Sequence, residues 1–416
     1  MASTLKSIIE KLNLTNNFIA NHSDVEKCIE QLNINPTYPI ILVGGTNGKG
    51  STCAYLTSIL VEAGFKVGTF TSPHVFEYNE RICINGKPIG DDILADTLEI
   101  ILNQCNLGMF KSFTLASHLI FKQESIDIAV IEVGVGGRND VTNLFEPYIS
   151  AITNVSMDHA DILGNTIDKI AFEKAGIFRA NTAAFYGRND PPSSLIQYAK
   201  DINCKLKIFN QDFGINPHDY SFDIKVGNNN YYALPYPPMR STQQLENIAL
   251  SLAILENLPA KFTITLSQIK QGILNSNLVG RFQILPGLPQ TILDVAHNYD
   301  SVNHMLQNML KLAPIEKSFA VFGIANNKDI ESLIAICADK FDHWFIAKIN
   351  SDRAIENSDL VKIMQSCNIE IDKISCYDNL VDAFKDAQQK AKTTDRICGF
   401  GSFLVVEEIH RYLKAN

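Results

Sequence analysis

The chain has 416 residues, 46% of them hydrophobic and 19% charged, with a formal net charge of −9. The length exceeds one ordinary core and predicts two domains, and the hydrophobic share excludes a disordered chain. No apolar run approaches the ~20 residues of a membrane helix, the N-terminus carries no signal-peptide pattern, and the acidic balance argues against nucleic acid as a partner.

The first strong signal is Ile40-Ile41-Leu42-Val43-Gly44-Gly45-Thr46-Asn47-Gly48-Lys49-Gly50-Ser51-Thr52. Four apolar residues predict a short buried strand, and a glycine-rich turn leads through Lys49 into a helix over Ser51–Ala63. Glycines let backbone N–H groups face phosphate oxygens, the helix N-terminus adds positive dipole, and Lys49 adds a full charge. The spacing departs from G-x-x-x-x-G-K-[ST], because Val43 stands at the first glycine and Gly50 where a hydroxyl belongs.

Further strands are predicted at Lys66–Phe70, Ile126–Val133 and Ile149–Val155, all apolar as in a parallel sheet covered on both faces. Residues 210–240, with Asn228-Asn229-Asn230 and Pro235-Tyr236-Pro237-Pro238, predict a hairpin or irregular insertion, and Gln243–Leu255 a helix. After the break at Leu285-Pro286-Gly287-Leu288-Pro289 a second alternation begins, with strands at Thr291–Val295, Ser318–Phe322, His343–Ala347, Ile374–Tyr377 and Ile397–Gly401. The predicted division is 1–284 and 285–416. Nine scattered cysteines without a C-x-x-C pair predict reduced cytoplasmic thiols, with neither disulfides nor a zinc site.

Several residues at strand ends carry chemistry. Glu132 closes an apolar run, where a carboxylate is costly unless paired or bound to a cation. Ligands of parallel sheets collect at strand carboxyl ends, so Glu132 is a magnesium-ligand candidate, and the competing reading is an acid capping the next turn. His159, after another strand, divides evenly between site and structural roles. Lys174 shares a helix face with Ile167, Ile170 and Ala171. It reads either as a lysine snorkelling at a helix C-terminus or as a desolvated nucleophilic amine able to take up carbon dioxide. Asp294, His297 and Asn298 gather at a strand end in the second half, where ordinary turn chemistry fits equally well.

Taken together and in order, these blocks resemble the folylpolyglutamate synthase/dihydrofolate synthase family of the Mur ligase superfamily. The resemblance runs through Gly45–Ser51, Thr71-Ser72-Pro73-His74, Asn79-Glu80-Arg81-Ile82, Ile131–Asn143, Asp158-His159, Glu173–Ile177, Gly280-Arg281-Phe282, Asp294–Asn298 and Gly401-Ser402. It implies an α/β protein: a P-loop-containing N-terminal domain with a mostly parallel sheet, plus a smaller Rossmann-like C-terminal domain. It implies ATP-dependent addition of L-glutamate to dihydropteroate, to reduced folates, or to both, through an acyl phosphate.

The resemblance also implies roles. Gly45, Thr46, Asn47, Gly48, Lys49, Gly50 and Ser51 are expected to cradle ATP, joined by Asn247, Arg281, Asp294 and His297. Ser51, Ser72, Glu132 and His159 are expected to bind two magnesium ions with a carbamate on Lys174, and Lys49, Lys174 and His159 to be catalytic. Arg81, Phe110, Gly137, Arg138, Asp140 and Asp158 are expected at the folate site and Ser402 near glutamate. A cytoplasmic monomer is expected.

Three positions depart from the family pattern: Lys111 replaces an acid, Tyr299 a proline and Asn327 an aspartate. Lys111 bears on substrate preference. The alternatives are a monofunctional folylpolyglutamate synthase, another Mur-type ligase, a P-loop kinase and a nucleotide-binding module without catalysis.

Overall fold

The computed structural model describes residues 4–14, 22–238, 241–276 and 279–415. Packing divides the chain into two compact units. The first comprises 1–156, 160–238 and 242–277; the second comprises Met157–His159, Met239–Ser241 and Leu278–Asn416.

The first unit is built on eight strands: β1 Ile40–Gly44, β2 Val67–Phe70, β3 Ile82–Ile84, β4 Lys87–Pro88, β5 Ile128–Glu132, β6 Ile149–Ile152, β7 Ala183–Tyr186 and β8 Lys205–Ile208. Their order is β4-β3-β2-β5-β1-β6-β7-β8. Six run parallel, and β3 and β4 form an antiparallel arm on β2. Every residue of β1, β2, β5 and β6 is buried, which is why these strands read as apolar runs without alternation. The register sets Val43 beside Glu132 and Gly44 beside Ile152, so the β1 turn and the β5 carboxylate share one sheet edge.

Among the described residues ten helices belong to this unit: α1 Leu5–Leu14, α2 His22–Gln31, α3 Lys49–Glu62, α4 Asp91–Gln104, α5 Met109–Gln123, α6 Ala160–Leu163, α7 Ile167–Ala175, α8 Ser193–Asp201, α9 Thr242–Leu255 and α10 Leu266–Asn275. Thr166 caps α7 by accepting from Lys169 N, and Gly176 ends it. Ile170, Ala171 and Lys174 are buried along one stripe, while Ile167 is exposed. The 210–240 segment is a three-stranded antiparallel sheet, β9 Phe213–Pro217, β10 Ser221–Val226 and β11 Asn229–Pro235. Phe222, Ile224 and Val226 alternate inward along β10.

The expectation of no disulfide is corrected. Cys28 on α2 pairs with Cys105 at the end of α4, with Cα atoms 6.1 Å apart across 77 residues of sequence. Helix packing brings them together, which spacing along the chain does not reveal.

The second unit carries β12 Gln283–Leu285, β13 Gln290–Leu293, β14 Ser318–Phe322, β15 His343–Ala347, β16 Ile374–Tyr377 and β17 Arg396–Phe400, in the order β12-β13-β17-β14-β15-β16. All but β12 are parallel. The strand β12 spans residue 284 and belongs to this sheet. Helices α11 Tyr299–Met309, α12 Ile330–Cys337, α13 Asn357–Ser366, α14 Leu380–Lys390 and α15 Phe403–Ala415 complete the alternation. Among the described residues no helix is long and apolar enough to cross a membrane.

Candidate active site

The turn after β1 is laid on the chain leaving β6. Asn47 N donates to Asn154 Oδ1 at 2.8 Å and Thr46 N to Asn154 O at 3.0 Å, while Thr153 Oγ1 donates to Asn47 O at 2.6 Å. Gly45 and Gly48 adopt φ of 136° and 86°, a region side chains avoid. A Cβ on Gly45 would overlap Thr153 Oγ1, and one on Gly48 would lie 2.8 Å from Asn247 Oδ1. The glycines are therefore required by packing as well as by torsion. Gly50 follows Lys49 inside the first turn of α3, and Ser51 is buried one residue on.

Two lysines converge on one carbonyl here. Lys49 Nζ donates to Gly45 O at 3.2 Å and to Thr46 O at 3.1 Å. Lys174, only 4% exposed, donates to the same Gly45 O at 2.9 Å. Glu132, at 4% exposure, ends β5 and accepts from Ser72 N at 3.0 Å. Among the described residues no three His, Cys, Asp or Glu form a metal cluster. One buried carboxylate with the hydroxyls of Ser51 and Ser72 fits magnesium, which keeps waters and phosphate oxygens in its shell and needs few protein ligands.

Beyond Glu132 the chain turns through Gly134–Asp140. A Cβ on Gly134 would lie 2.5 Å from the ring tip of Phe110, so that ring covers bare backbone. Asp140 is buried and caps the short turn Val141–Leu144. It accepts from Thr142 N at 2.9 Å, Thr142 Oγ1 at 2.6 Å and Val135 N at 3.0 Å. Burial raises its carboxyl above the usual range, against the pull of these donors.

Gly137 approaches the carbonyls of Glu173 and Lys174. Arg138 sets its guanidinium in the corner formed by the edge-to-face rings of Phe172 and Tyr198, 4.2 and 4.7 Å from their centroids. Arg81 is half-buried, donates from Nε to His74 Nδ1 at 2.9 Å and lies over Phe113; desolvation lowers its guanidinium to about 10. Lys111 is buried on α5, and desolvation lowers its ammonium.

In the second unit, the turn Gly280–Phe282 folds over the end of β13. Asp294 accepts from Phe282 N at 3.0 Å and Ala296 N at 2.9 Å. Desolvation pushes its carboxyl up to about 6 despite nearby Arg281, whose guanidinium lies over Phe403. His297 Nδ1 lies 2.8 Å from Val295 O, a contact that requires the proton on Nδ1. Asn298 caps α11 by accepting from Ser301 N at 3.0 Å, which makes Tyr299 the first helical residue. Proline is favoured at that position for its fixed φ, and tyrosine fills it without strain.

Asp158 accepts from Lys328 Nζ at 2.7 Å and Asn298 Nδ2 at 3.2 Å, with His297 Nε2 at 3.7 Å. Burial opposes its ionisation, but the positive charges facing it from Lys328, His297 and His159 hold its carboxyl well below the usual range. Its neighbour His159 has a positive φ of 52°. Ser402 Oγ accepts from Leu404 N at 3.2 Å. Asn327, exposed in the same turn as Lys328, has no contact that explains the departure from aspartate.

Within the first unit the structure thus gathers Gly45–Ser51, Ser72, Glu132, Lys174 and Asn247, with Phe110 of α5 against the adjoining loop. Within the second it gathers Asp158, Arg281, Asp294 and His297. Thr153, Asn154 and Lys328 hold these arrangements without having been singled out in the sequence. The groove of about 740 Å³ beside Tyr38, Tyr148 and Lys261 lies at the amino ends of β1, β6 and β7, away from these residues.

Residues 43–285 match the Mur ligase middle domain and residues 280–403 the Mur ligase glutamate ligase domain. The chain is 36% identical over 372 residues to a dihydrofolate synthase/folylpolyglutamate synthase of Buchnera aphidicola subsp. Acyrthosiphon pisum, covering 89% of this chain and 88% of that one. It superimposes on Escherichia coli FolC in complex with DHPP and ADP with a TM-score of 0.91 at 29% identity, covering 100% and 98% of the chains. The bifunctional enzyme of Yersinia pestis, complexed with AMPPNP and Mn ion, matches with a TM-score of 0.90 at 29% identity over 99% and 98%. The chain belongs to the dihydrofolate synthase/folylpolyglutamate synthase family of Mur ligases, ATP-dependent enzymes of the bifunctional type.

Proposed function

We propose that this chain joins L-glutamate to dihydropteroate and to reduced folates through an acyl phosphate, with the residue roles that follow. The observation that carries the reading is the pair of ammonium groups, Lys49 and buried Lys174, on one phosphate-loop carbonyl near the β5 carboxylate. A kinase needs only the first lysine. A second cation in a buried site is costly unless it changes character. Addition of the Lys174 amine to carbon dioxide, with loss of one proton, turns it into an anionic oxygen donor.

When bound, ATP and magnesium supply the phosphoryl group and neutralise its charge. Backbone N–H groups of 45–51 and Lys49 hold the triphosphate. Ser51, Ser72, Glu132, His159 and the Lys174 carbamate serve two magnesium ions. Asn247, Arg281, Asp294 and His297 contact the nucleotide. Arg81, Phe110, Gly137, Asp140 and Asp158 serve the pteroate portion, and Ser402 the glutamate. Orientation and charge neutralisation do most of the work. The division of these tasks between 1–284 and 285–416, a monomeric state and a cytoplasmic location belong to the same reading.

The deciding assay is ADP release with glutamate, comparing dihydropteroate with tetrahydrofolate. Glutamate-dependent release with both acceptors is expected. Release with tetrahydrofolate alone would make the enzyme monofunctional, and glutamate-independent release with phosphorylated acceptor would replace the ligase with a kinase.

A further inference from the structure

We propose that Arg138 is a positioning residue that sets the place of the Lys174 amine, rather than a contact for the acceptor. The inference rests on the ligase reading of this site. It starts from how the loop after Glu132 meets the end of α7. Arg138 N donates to Glu173 O at 2.8 Å. A Cβ on Gly137 would lie 2.7 Å from Lys174 O and 2.9 Å from Glu173 O, so only glycine permits this backbone approach. The reciprocal approach is made by Gly176, whose Cβ would lie 2.6 Å from Arg138 Cα. Asn143 Nδ2 spans both sides, donating to Arg138 O at 3.2 Å and to Gly176 O at 3.1 Å.

The side chain of Arg138 completes the clamp. Its guanidinium lies in the corner formed by Phe172 on α7 and Tyr198 on α8, whose rings meet edge-to-face, both within cation–π range, and Nη2 donates to Phe172 O at 3.3 Å. A flat, weakly hydrated guanidinium can lie against an aromatic face while its edge N–H groups still donate to a carbonyl, which an ammonium does less well. The bonds from this loop to α7 all land on residues 172–176, the turn that carries Lys174. That lysine ends 2.9 Å from Gly45 O in the phosphate loop. The folate-side loop therefore fixes where α7 ends, and the end of α7 fixes the amine against the phosphate loop.

The test compares the full wild-type chain with Arg138→Met and Tyr198→Leu, the second leaving Arg138 in place but removing one ring. With ATP and glutamate saturating and the acceptor varied, Arg138→Met is expected to lower kcat by about tenfold or more, the range found when groups orienting a catalytic ligand are removed. Acceptor KM is expected to move less than about twofold, since no uniform binding contact is lost. Tyr198→Leu should give a smaller loss of the same kind, and it carries the test if Arg138→Met does not fold.

Hydrogen exchange of residues 172–177, measured without ligands, should accelerate in both variants. A rise in acceptor KM at unchanged kcat would make Arg138 a substrate contact and overturn the proposal, as would wild-type kinetics and exchange. A wild-type chain inactive on both acceptors would defeat the ligase reading instead, and the exchange measurement would still decide the clamp.

Discussion

Lys49 and Lys174 donate to the same carbonyl oxygen, that of Gly45, from 3.2 and 2.9 Å, although 125 positions separate them in the sequence. One lysine comes from the helix that opens the phosphate loop. The other comes from the far end of α7, five strands later in the chain. Their meeting is what distinguishes this site from a simple triphosphate cradle.

Lys174→Ala is expected to abolish turnover, a loss of about a thousandfold or more as for removal of a central electrostatic group, while leaving the fold intact. Circular dichroism and ADP release measured together check this. Partial recovery with a short carboxylic acid would support the carbamate, and near-normal ligase activity in Lys174→Ala would sink it.

Gly48→Ala should weaken nucleotide binding sharply. The substitution forces a side chain into φ 86° and against Asn247, at a cost of about 1–2 kcal/mol from the torsion alone. Calorimetric titration with a non-hydrolysable ATP analogue is the check. Asn247→Ala relieves the clash but removes a proposed nucleotide contact, so the double variant should regain part of the stability in urea unfolding and none of the affinity.

Asp294 predicts a pH effect on stability. Its carboxyl rises from 3.8 to about 6 on folding, so the fold opposes ionisation. The sign follows: the contribution is intact below pH ~4, is lost as pH rises through about 6, and amounts to about 3 kcal/mol at most. Asp294→Asn removes that slope but forfeits one acceptor for Phe282 N or Ala296 N. Urea unfolding at pH 4.5 and 7.5 should show the variant gaining on wild type as pH rises. Parallel pH profiles for the two proteins would refute the assignment.

Asp140→Ala should destabilise the first unit by about 1–3 kcal/mol, because Val135 N and Thr142 N lose a buried acceptor. Chemical denaturation measures it. In the ligase reading, acceptor KM rises as well, since the loop facing the acceptor loses its anchor.

The readable parts of the molecule are those whose signal is local. Fully buried parallel strands such as Ile40–Gly44 and Ile128–Glu132 announce themselves as apolar runs. The burial of Lys174 follows from its spacing to Ile170 and Ala171. Thr153 and Asn154 gave no such signal: the predicted strand Ile149–Val155 runs straight through them, whereas β6 ends at Ile152 and the fold lays them under the phosphate loop. The strand Phe213–Pro217 hid for a different reason, carrying a glycine and a proline that lower its strand propensity. Cys28 and Cys105 meet only because α2 packs on α4. The aromatic corner that holds Arg138 draws its rings from two helices beyond the loop, which no motif spacing encodes.

The short antiparallel arm has a consequence for behaviour at high concentration. The outermost strand of the large sheet is the dipeptide Lys87-Pro88. Proline offers no N–H to an incoming strand, and lysine at such a border penalises close approach of another chain. The opposite border begins with Lys205 and carries Lys207 two residues on. A sheet of eight strands is thereby closed at both sides to edge-to-edge growth, and a Pro88→Val, Lys87→Val double variant should form β-rich aggregates that wild type resists.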